Sequence, residues 1–237
     1  ALDQRAQEVR VNAVVVGDQK NGWHGLALIG DLVINVVMKS SVEPWRGKNY
    51  KPGGLLVLGE SAYNKENPAN PVDPGTCIRD VICGLRPEGK AKRWHLHFKR
   101  IFLTVRGPEA ERDWQAETAK AFFDGIAYAN YVIESVGGDA KSRPIPGQWQ
   151  DAGEPFRALL NKLKPGRVLV LGFGAWGSIL KNFRVPPGEE EMFQLPVDNA
   201  PSALVCVIPH PSSRNRIKFN AARTHEHFCH KFPQADA

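Results

Sequence analysis

The stretch RVLVLGFGAWGSILKNF at residues 167–183 decides how the chain is interpreted. An apolar run ends at Gly172, and Gly174 and Gly177 then complete a Gly-x-Gly-x-x-Gly spacing. After a strand, that spacing is typical of a dinucleotide-binding turn, in which glycines let the backbone approach a diphosphate. It also suits a strand-to-helix turn whose glycines allow close packing of the backbone. The residues around the other strands provide the evidence that distinguishes these two interpretations.

The composition indicates an ordinary soluble globular protein. The chain has 237 residues, of which 42% are hydrophobic and 24% charged, and it can bury a sizeable core. A formal net charge of +6 fits a polyanionic partner or a solvated basic surface. No apolar run approaches the roughly 18 residues of a membrane span, and no secretory signal pattern is visible. We therefore expect a cytoplasmic protein without a membrane partner.

The cysteines and histidines give no metal-binding pattern. Cys77, Cys83, Cys206 and Cys229 form no CxxC pair, and because no secretory signal pattern is visible we expect reduced thiols. The segment THEHFCHKF at 224–232 contains metal-ligand residue types, but its spacing matches no zinc site. We interpret it as the polar face of a helix and expect no metal and no cofactor.

Strands and helices alternate along most of the chain. The predicted strands are 54–59, 125–130, 167–172 and 203–209, and the predicted helices are 109–125, 151–166, 175–183 and 220–232. The strands are almost continuously apolar, which indicates burial on both faces of a parallel sheet. The pattern predicts an α/β fold: a three-layer α/β/α sandwich around a central, mainly parallel four-stranded sheet.

The N-terminal residues do not follow this alternation. We assign residues 1–42 to an N-terminal extension and residues 43–237 to the main domain. The apolar runs at 11–19 and 31–38 are predicted to form an added hairpin or edge strands. Prolines and glycines at 65–76 and 184–188 predict loops.

Polar residues follow the predicted strands at the edge where α/β sheets bind ligands. The segment GESAYN, residues 59–64, follows the first strand, Asn130 ends the second, and HPSSR, residues 210–214, follows the fourth. A carboxylate from Glu60, a carboxamide from Asn130 and an imidazole from His210 are therefore predicted to converge. Each has a structural alternative: Asn130 as a turn residue and His210 as a strand-end hydrogen-bond partner.

The dinucleotide interpretation of the glycines lacks its second element. That fingerprint requires an acidic residue at the end of the following strand, about twenty residues on. The next predicted strand ends at Ile208-Pro209 without a carboxylate. A nicotinamide-binding protein is therefore the weakest of the functions considered, and the glycines are expected to serve packing.

The ordered set of strand-end motifs resembles the uracil-DNA glycosylase superfamily over about residues 45–232. GESAYN is similar to the first motif of that superfamily, AYANYVIESVGG to the strand ending in a pyrimidine-reading asparagine, and HPSS to the second catalytic motif. The segment that runs from PGQWQ to GFGAWG is similar to its helix, strand and glycine turn. The resemblance implies a uracil-DNA glycosylase-like fold and a base-excision repair enzyme.

The resemblance implies a monofunctional hydrolase that flips uracil out of DNA and cuts its N-glycosyl bond, leaving an abasic site. Asn130 would read the uracil edge, and His210 would stabilise charge on uracil O2. Gly59 and Tyr63 would complete the base pocket, Tyr63 by excluding the methyl group of thymine. Uracil-containing DNA is the expected partner of a monomer with no obligate protein partner, nucleoid-associated in a bacterium.

The sequence departs from the family pattern at the catalytic aspartate. Ser61 stands in its place, and Asn64 stands where a histidine is usual. Glu60 is expected to supply the catalytic carboxylate, as in the similar Gly-Glu loop of the iron–sulfur branch, while Ser61 is kept as a catalytic candidate. No aromatic residue between Lys65 and Ile82 is available to stack on uracil. Ser61 is the best support for the alternative to the enzyme, a catalytically weak or silent module that binds nucleic acid or a free base.

DNA contacts are expected from the segment after the fourth strand. The candidate residues are Ser212, Ser213, Arg214 and Arg216. The hydroxyl groups suit phosphate binding, and the guanidinium groups add positive charge. The segment KAKRWHLHFKR, residues 90–100, mixes basic and aromatic residues and is either a second nucleic-acid contact or a basic surface element.

Overall fold

The structure is a computed structural model. It describes residues 12–18, 22–29, 32–37, 42–64, 71–138, 142–212 and 219–233. The chain divides into two compact units, Ala1–Val42 and Glu43–Ala237.

The first unit contains a small antiparallel sheet of its own. Its strands are β1 (Asn12–Asp18), β2 (Gly22–Ile29) and β3 (Leu32–Val37), in that spatial order. β1 pairs with β2, and β2 pairs with β3, both in antiparallel register. The sequence predicted β1 and β3 and missed β2, whose glycines and histidine weaken the strand pattern.

The second unit is built on a five-stranded sheet. Its strands are β4 (Trp45–Arg46), β5 (Leu55–Gly59), β6 (Ala127–Asn130), β7 (Arg167–Leu171) and β8 (Leu204–Ile208). Their spatial order is β4-β6-β5-β7-β8. β6, β5, β7 and β8 pair in parallel, and β4 pairs with β6 in antiparallel register. The prediction of a four-stranded sheet is therefore corrected to a mixed sheet of five strands.

Helices cover both faces of this sheet. Those described are α1 (Pro74–Gly84), α2 (His95–Arg106), α3 (Ala116–Asp124), α4 (Pro146–Asp151), α5 (Gly153–Leu163), α6 (Phe173–Asn182) and α7 (Ala221–Lys231). On one face Leu58 of β5 packs in a cluster with Phe156 of α5. On the other face Val57 packs with Phe98 of α2 and Phe228 of α7. Successive residues of β5 enter opposite cores, which explains why its sequence is continuously apolar.

The helices differ from the sequence prediction at several points, and α2 was not predicted. The predicted helix at 109–125 is a 3-10 helix, Pro108–Asp113, followed by α3. Trp114 separates the two pieces and packs against Phe102 of α2, with ring centroids 5.1 Å apart. α1 begins inside the region predicted as a loop, because Asp73 caps it by accepting hydrogen bonds from the backbone N–H groups of Gly75 and Thr76.

Candidate active site at the carboxyl edge of the sheet

Parallel pairing brings the ends of four strands to one edge. Gly59 of β5 lies opposite Asn130 of β6, and Leu171 of β7 lies opposite Ile208 of β8. Backbone hydrogen bonds extend the β5–β6 contact beyond the strands, since the N–H groups of Tyr131 and Val132 donate to the carbonyls of Gly59 and Glu60, at 2.8 and 3.0 Å. The residues after each strand therefore start from neighbouring positions on a rigid sheet.

The side chain of Asn130 packs directly over Gly59. A Cβ atom at position 59 would lie 3.0 Å from the hydroxyl oxygen of Tyr128 and closer still to Oδ1 of Asn130. Such distances are shorter than real carbon–oxygen contacts, so the amide occupies the space that any side chain at position 59 would need. Glycine at this position is what allows the carboxamide to lie at the end of the two central strands.

Glu60 and His210 approach each other across the turn between β7 and α6. A Cβ atom at Gly172 would lie 3.7 Å from Oε2 of Glu60, 3.4 Å from Cβ of His210 and 3.6 Å from its Cδ2. A Cβ atom at Gly174 would lie 3.0 Å from the same Glu60 oxygen. Gly172 has φ of 111°, a conformation that favours glycine. The carboxylate and the imidazole thus border one small space that is open because the turn lacks side chains.

This geometry answers the question raised by the glycine spacing. The turn leads from a parallel strand into a helix, as in a dinucleotide site. A diphosphate laid against Gly172 and Gly174, however, would meet the carboxylate of Glu60, and like charges at this range repel. The glycines accommodate a carboxylate and an imidazole, so the nicotinamide interpretation loses its one supporting feature.

His210 is held by its own loop and by α2. The backbone N–H of Ser212 donates to Nδ1 of His210 at 3.2 Å, which leaves Nε2 to carry the proton of the neutral ring. Arg100 of α2 donates a hydrogen bond to the carbonyl of Pro211. Burial and the Arg143 guanidinium lower the pKa of His210 to about 4. The ring is therefore neutral at physiological pH, with its Nε2–H group available as a donor.

A second histidine lies beside the first. The rings of His97 and His210 have centroids 5.2 Å apart, and Nδ1 of His97 lies 3.2 Å from Oγ of Ser212. Burial, His210 and Arg100 lower the pKa of His97 to about 3. The sequence placed His97 in a basic stretch with a possible role in nucleic-acid contact, whereas in the structure it supports the loop that carries His210.

Glu60 has an unusual electrostatic environment for a carboxylate. Burial raises its pKa above the ordinary value, and the guanidinium of Arg143 partly opposes this effect. Nε of Arg143 lies 3.8 Å from Oε1 of Glu60. Sequence reasoning missed Arg143, because it lies in the irregular segment before α4, where no periodic pattern marks it. A partly desolvated carboxylate paired with a specific cation is a frequent property of catalytic bases, and it also occurs in structural ion pairs.

The rest of the first motif forms a loop against the chain that follows β6. Ala62 forms an isolated bridge with Ser135, and the N–H of Asn64 donates to the carbonyl of Gly137 at 3.0 Å. Ser61 is half-buried directly after Glu60, while Tyr63 is exposed. The loop therefore presents Tyr63 outward from a backbone that is fixed on both sides.

Phe173 is an aromatic residue at this edge that the sequence analysis did not single out. It is the first residue of α6, and both of its chain neighbours, Gly172 and Gly174, border Glu60. Its side chain is 54% exposed, and within the described residues it belongs to none of the apolar clusters. Its position in the sequence could have identified it as a candidate site residue, since Phe173 directly follows the third predicted strand.

The predicted DNA-binding residues are described only in part. Ser212 is exposed, and its backbone and hydroxyl groups contact His210 and His97. Ser213, Arg214 and Arg216 lie outside the described residues. Within the described chain, no helix has the length and apolar character needed to cross a membrane.

No known family and no curated protein gives a match to this sequence. The class of protein is therefore proposed from the residues at the carboxyl edge of the sheet.

Proposed function

We propose that this protein is a monofunctional uracil-DNA glycosylase on a four-strand parallel core of the uracil-DNA glycosylase type. The observation that carries the proposal is the meeting of Glu60 and His210 at Gly172, with the amide of Asn130 on the residue next to Glu60. An acid, a ring donor and a carboxamide are the three groups that hydrolytic removal of a pyrimidine requires.

Asn130 reads the base. The carbonyl oxygen of its side chain accepts a hydrogen bond from uracil N3–H, and its NH₂ group donates to O4. Cytosine has an acceptor at N3 and a donor at position 4, so an amide held in this orientation would be left with both groups unpaired. Unpaired polar groups in a closed pocket cost about 1–3 kcal/mol each, which is enough to discriminate between the two bases.

His210 and Glu60 divide the chemistry. The bond between uracil N1 and the sugar C1′ breaks with its electron pair on the base, and the Nε2–H group of neutral His210 donates to O2, where negative charge accumulates. The Glu60 carboxylate stabilises the positively charged sugar, orients a water molecule toward C1′ and accepts its proton as the C1′–O bond forms. The products are free uracil and an abasic site.

Phe173 supplies the aromatic face that the first-motif loop lacks. Phe173 is the first residue of α6, its ring is exposed, and it lies between the two glycines that border Glu60. Stacking of a base on an aromatic side chain contributes roughly 1–3 kcal/mol. We assign Phe173 to stacking on the extruded pyrimidine and Tyr63 to the methyl-excluding position near C5.

The excision assay tests this function directly. Purified protein is incubated with an oligonucleotide that contains one uracil, and the product is treated with alkali, which cleaves the strand at abasic sites. We expect cleavage at the uracil for the wild-type protein and none for an otherwise identical oligonucleotide with thymine. Cleavage that persists unchanged in Glu60→Ala would reject the assigned chemistry.

A second function is favoured by one specific residue. Ser61 occupies the position of the family's aspartate, so the domain would bind uracil-containing nucleic acid or a free base without cleaving it. In that case the same oligonucleotide shifts in a gel but is not nicked after alkali.

A further inference from the structure

Arg143 lies against the catalytic carboxylate although it belongs to none of the strand-end motifs. Its Nε atom is 3.8 Å from Oε1 of Glu60, and its Nη1–H group donates to the carbonyl of Ser142 at 2.8 Å. Arg143 belongs to the irregular segment before α4. Trp149, a residue of α4, also lies near Gly174 at the edge of the site. The ion pair thus joins the α4 side of the domain to the end of β5.

The two partners differ strongly in exposure. The Glu60 side chain is 16% exposed and that of Arg143 is 68% exposed. A carboxylate that has lost most of its water is destabilised in its charged form, and a neighbouring cation restores part of that loss. Arg143 forms the ion pair recorded at this carboxylate in the described chain, and it opposes part of the effect of burial on the pKa of Glu60.

The same guanidinium acts on His210. Together with burial, it keeps the imidazole neutral. Three other titratable or charged groups lie near the ring in the described chain. Glu60 borders it at Gly172, His97 of α2 lies beside it, and Arg100 of α2 contacts the adjacent carbonyl of Pro211. One positive charge therefore favours an ionised acid and an uncharged imidazole at the same time, which are the two states that the proposed reaction needs.

We infer that Arg143 is a positioning residue that pairs with the Glu60 carboxylate beside His210 and favours the ionised form of the acid and the neutral form of the imidazole. The inference rests on the proposed function for its catalytic consequence, whereas the electrostatic coupling itself does not depend on it. Arg143 touches neither base nor sugar in this role. It acts on the reaction through the charge states of the two residues that do.

The chain offers a matched control. Lys120 pairs with Asp124 at 2.6 Å, and the side chains are 52% and 10% exposed, an exposed cation on a mostly buried carboxylate as in the Arg143–Glu60 pair. Asp124 precedes β6 and so lies near the opposite edge of the sheet from the site. Lys120→Gln removes a similar charge away from the proposed catalytic residues, while Lys48 remains 3.4 Å from Oδ2 of Asp124.

The first test is the pH dependence of excision. In Arg143→Gln we expect kcat/KM to fall roughly fivefold more at pH 5 than at pH 8, the factor given by an ion pair near the upper end of the range for exposed pairs. Arg143→Lys should recover part of the loss at pH 5, because it restores the charge. Lys120→Gln should leave the ratio of the two rates as in the wild type. An equal loss at both pH values would show a merely structural role and overturn the inference.

A second measurement does not require activity. The Cε1–H resonance of His210, assigned with His210→Gln, is titrated by NMR in the wild type, Arg143→Gln and Lys120→Gln. We expect the pKa of His210, about 4 in the wild type, to rise in Arg143→Gln alone. A titration curve unchanged by Arg143→Gln overturns the inference. A wild-type protein that shows this coupling but no excision would overturn the proposed function and leave the assignment of Arg143 standing.

Discussion

Gly59→Ala isolates the placement of the base-reading amide. The new methyl group would lie 3.0 Å from the Tyr128 hydroxyl oxygen and closer still to Oδ1 of Asn130. Tyr128 is buried in the sheet, whereas Asn130 is only half-buried at its end. We therefore expect the strand to keep its register and the side chain of Asn130 to move away.

The size of the effect follows from the overlap. To reach an ordinary contact distance, the Asn130 oxygen has to move by roughly 1 Å. A displacement of that size in a reactive complex costs about 100-fold in rate, or about 2.7 kcal/mol of transition-state stabilisation. Crowding costs about 1–3 kcal/mol of stability, of which the loss of glycine flexibility in the unfolded chain offsets about 0.4–1 kcal/mol. The net loss is then at most about 2.6 kcal/mol, so the melting temperature of a domain of this size should fall by no more than about 10 °C.

Single-turnover excision and thermal unfolding are measured on the same preparations. Gly177→Ala is the matched control, since a Cβ atom there meets nothing within 4 Å. Gly177 lies inside α6, so alanine should raise stability by about 0.5–1 kcal/mol and leave the rate unchanged. A folded Gly59→Ala protein that excises uracil within a factor of three of the wild-type rate would show that the rate does not depend on the position of Asn130. The proposal that Asn130 recognises the base would then be rejected.

Four further changes test the remaining assignments. Glu60→Ala should lower turnover by at least about 100-fold while DNA affinity in a gel shift stays within a factor of three, and a parallel loss of affinity would point to a binding role instead. Asn130→Asp, which replaces the donor to O4 with an acceptor, should reduce the preference for uracil over cytosine, and an unchanged ratio of the two rates would exclude Asn130 as reader. Phe173→Ala should weaken binding of uracil-containing DNA by about 1–3 kcal/mol, with Phe173→Tyr close to wild type, and equal affinities would reject stacking. Because burial and Arg143 depress the His210 pKa from 6.5 to about 4, the unfolded chain binds the extra proton first, so stability from this ring is present above pH 6.5 and is lost as pH falls toward 4. Urea unfolding of the wild type and His210→Gln at pH 5 and 7 should show a smaller pH effect in the variant, and identical pH effects would contradict the depressed pKa.

The strands could be predicted because both of their faces are buried. β5, β7 and β8 begin and end within a residue or so of the apolar runs that indicated them. β4 has only two residues, Trp45 and Arg46, which is too short for any periodic pattern. The parallel strands could therefore be predicted from the sequence. The antiparallel edge strand, which makes the sheet mixed, could not.

The helices missed by the sequence analysis had local signals that were outweighed. Asp73-Pro74 is a capped helix start, but it stands in a region rich in prolines and glycines that predicted a loop. The start of α2 lies in a basic stretch that was interpreted by its charge and not by its apolar spacing, although Phe98 and Ile101 are buried. Both helices lie on the same face of the sheet, so that layer was under-predicted.

The residues of the candidate site also fall into a group whose position could be predicted and a group whose position could not. Gly59, Glu60, Asn130 and His210 follow strands, and parallel pairing alone brings them to one edge. Arg143 and His97 reach that edge from an irregular segment and from a helix, and their positions depend on tertiary packing that leaves no pattern in the local sequence. The shared position of the residues proposed to carry the chemistry was therefore predictable, and the positions of Arg143 and His97 were not.

The hydrogen bond from the Ser212 backbone to Nδ1 of His210 limits the kind of catalysis that this edge can perform. A serine nucleophile needs an imidazole with a vacant lone pair facing its hydroxyl group, and here the lone pair of Nδ1 is already filled by an amide while Nε2 bears hydrogen. His210 can donate a hydrogen bond through Nε2 but has no vacant lone pair with which to accept a proton, so it cannot act as the base that converts a serine into an alkoxide. The ring is suited instead to stabilise negative charge on a departing group, which is the role proposed for it.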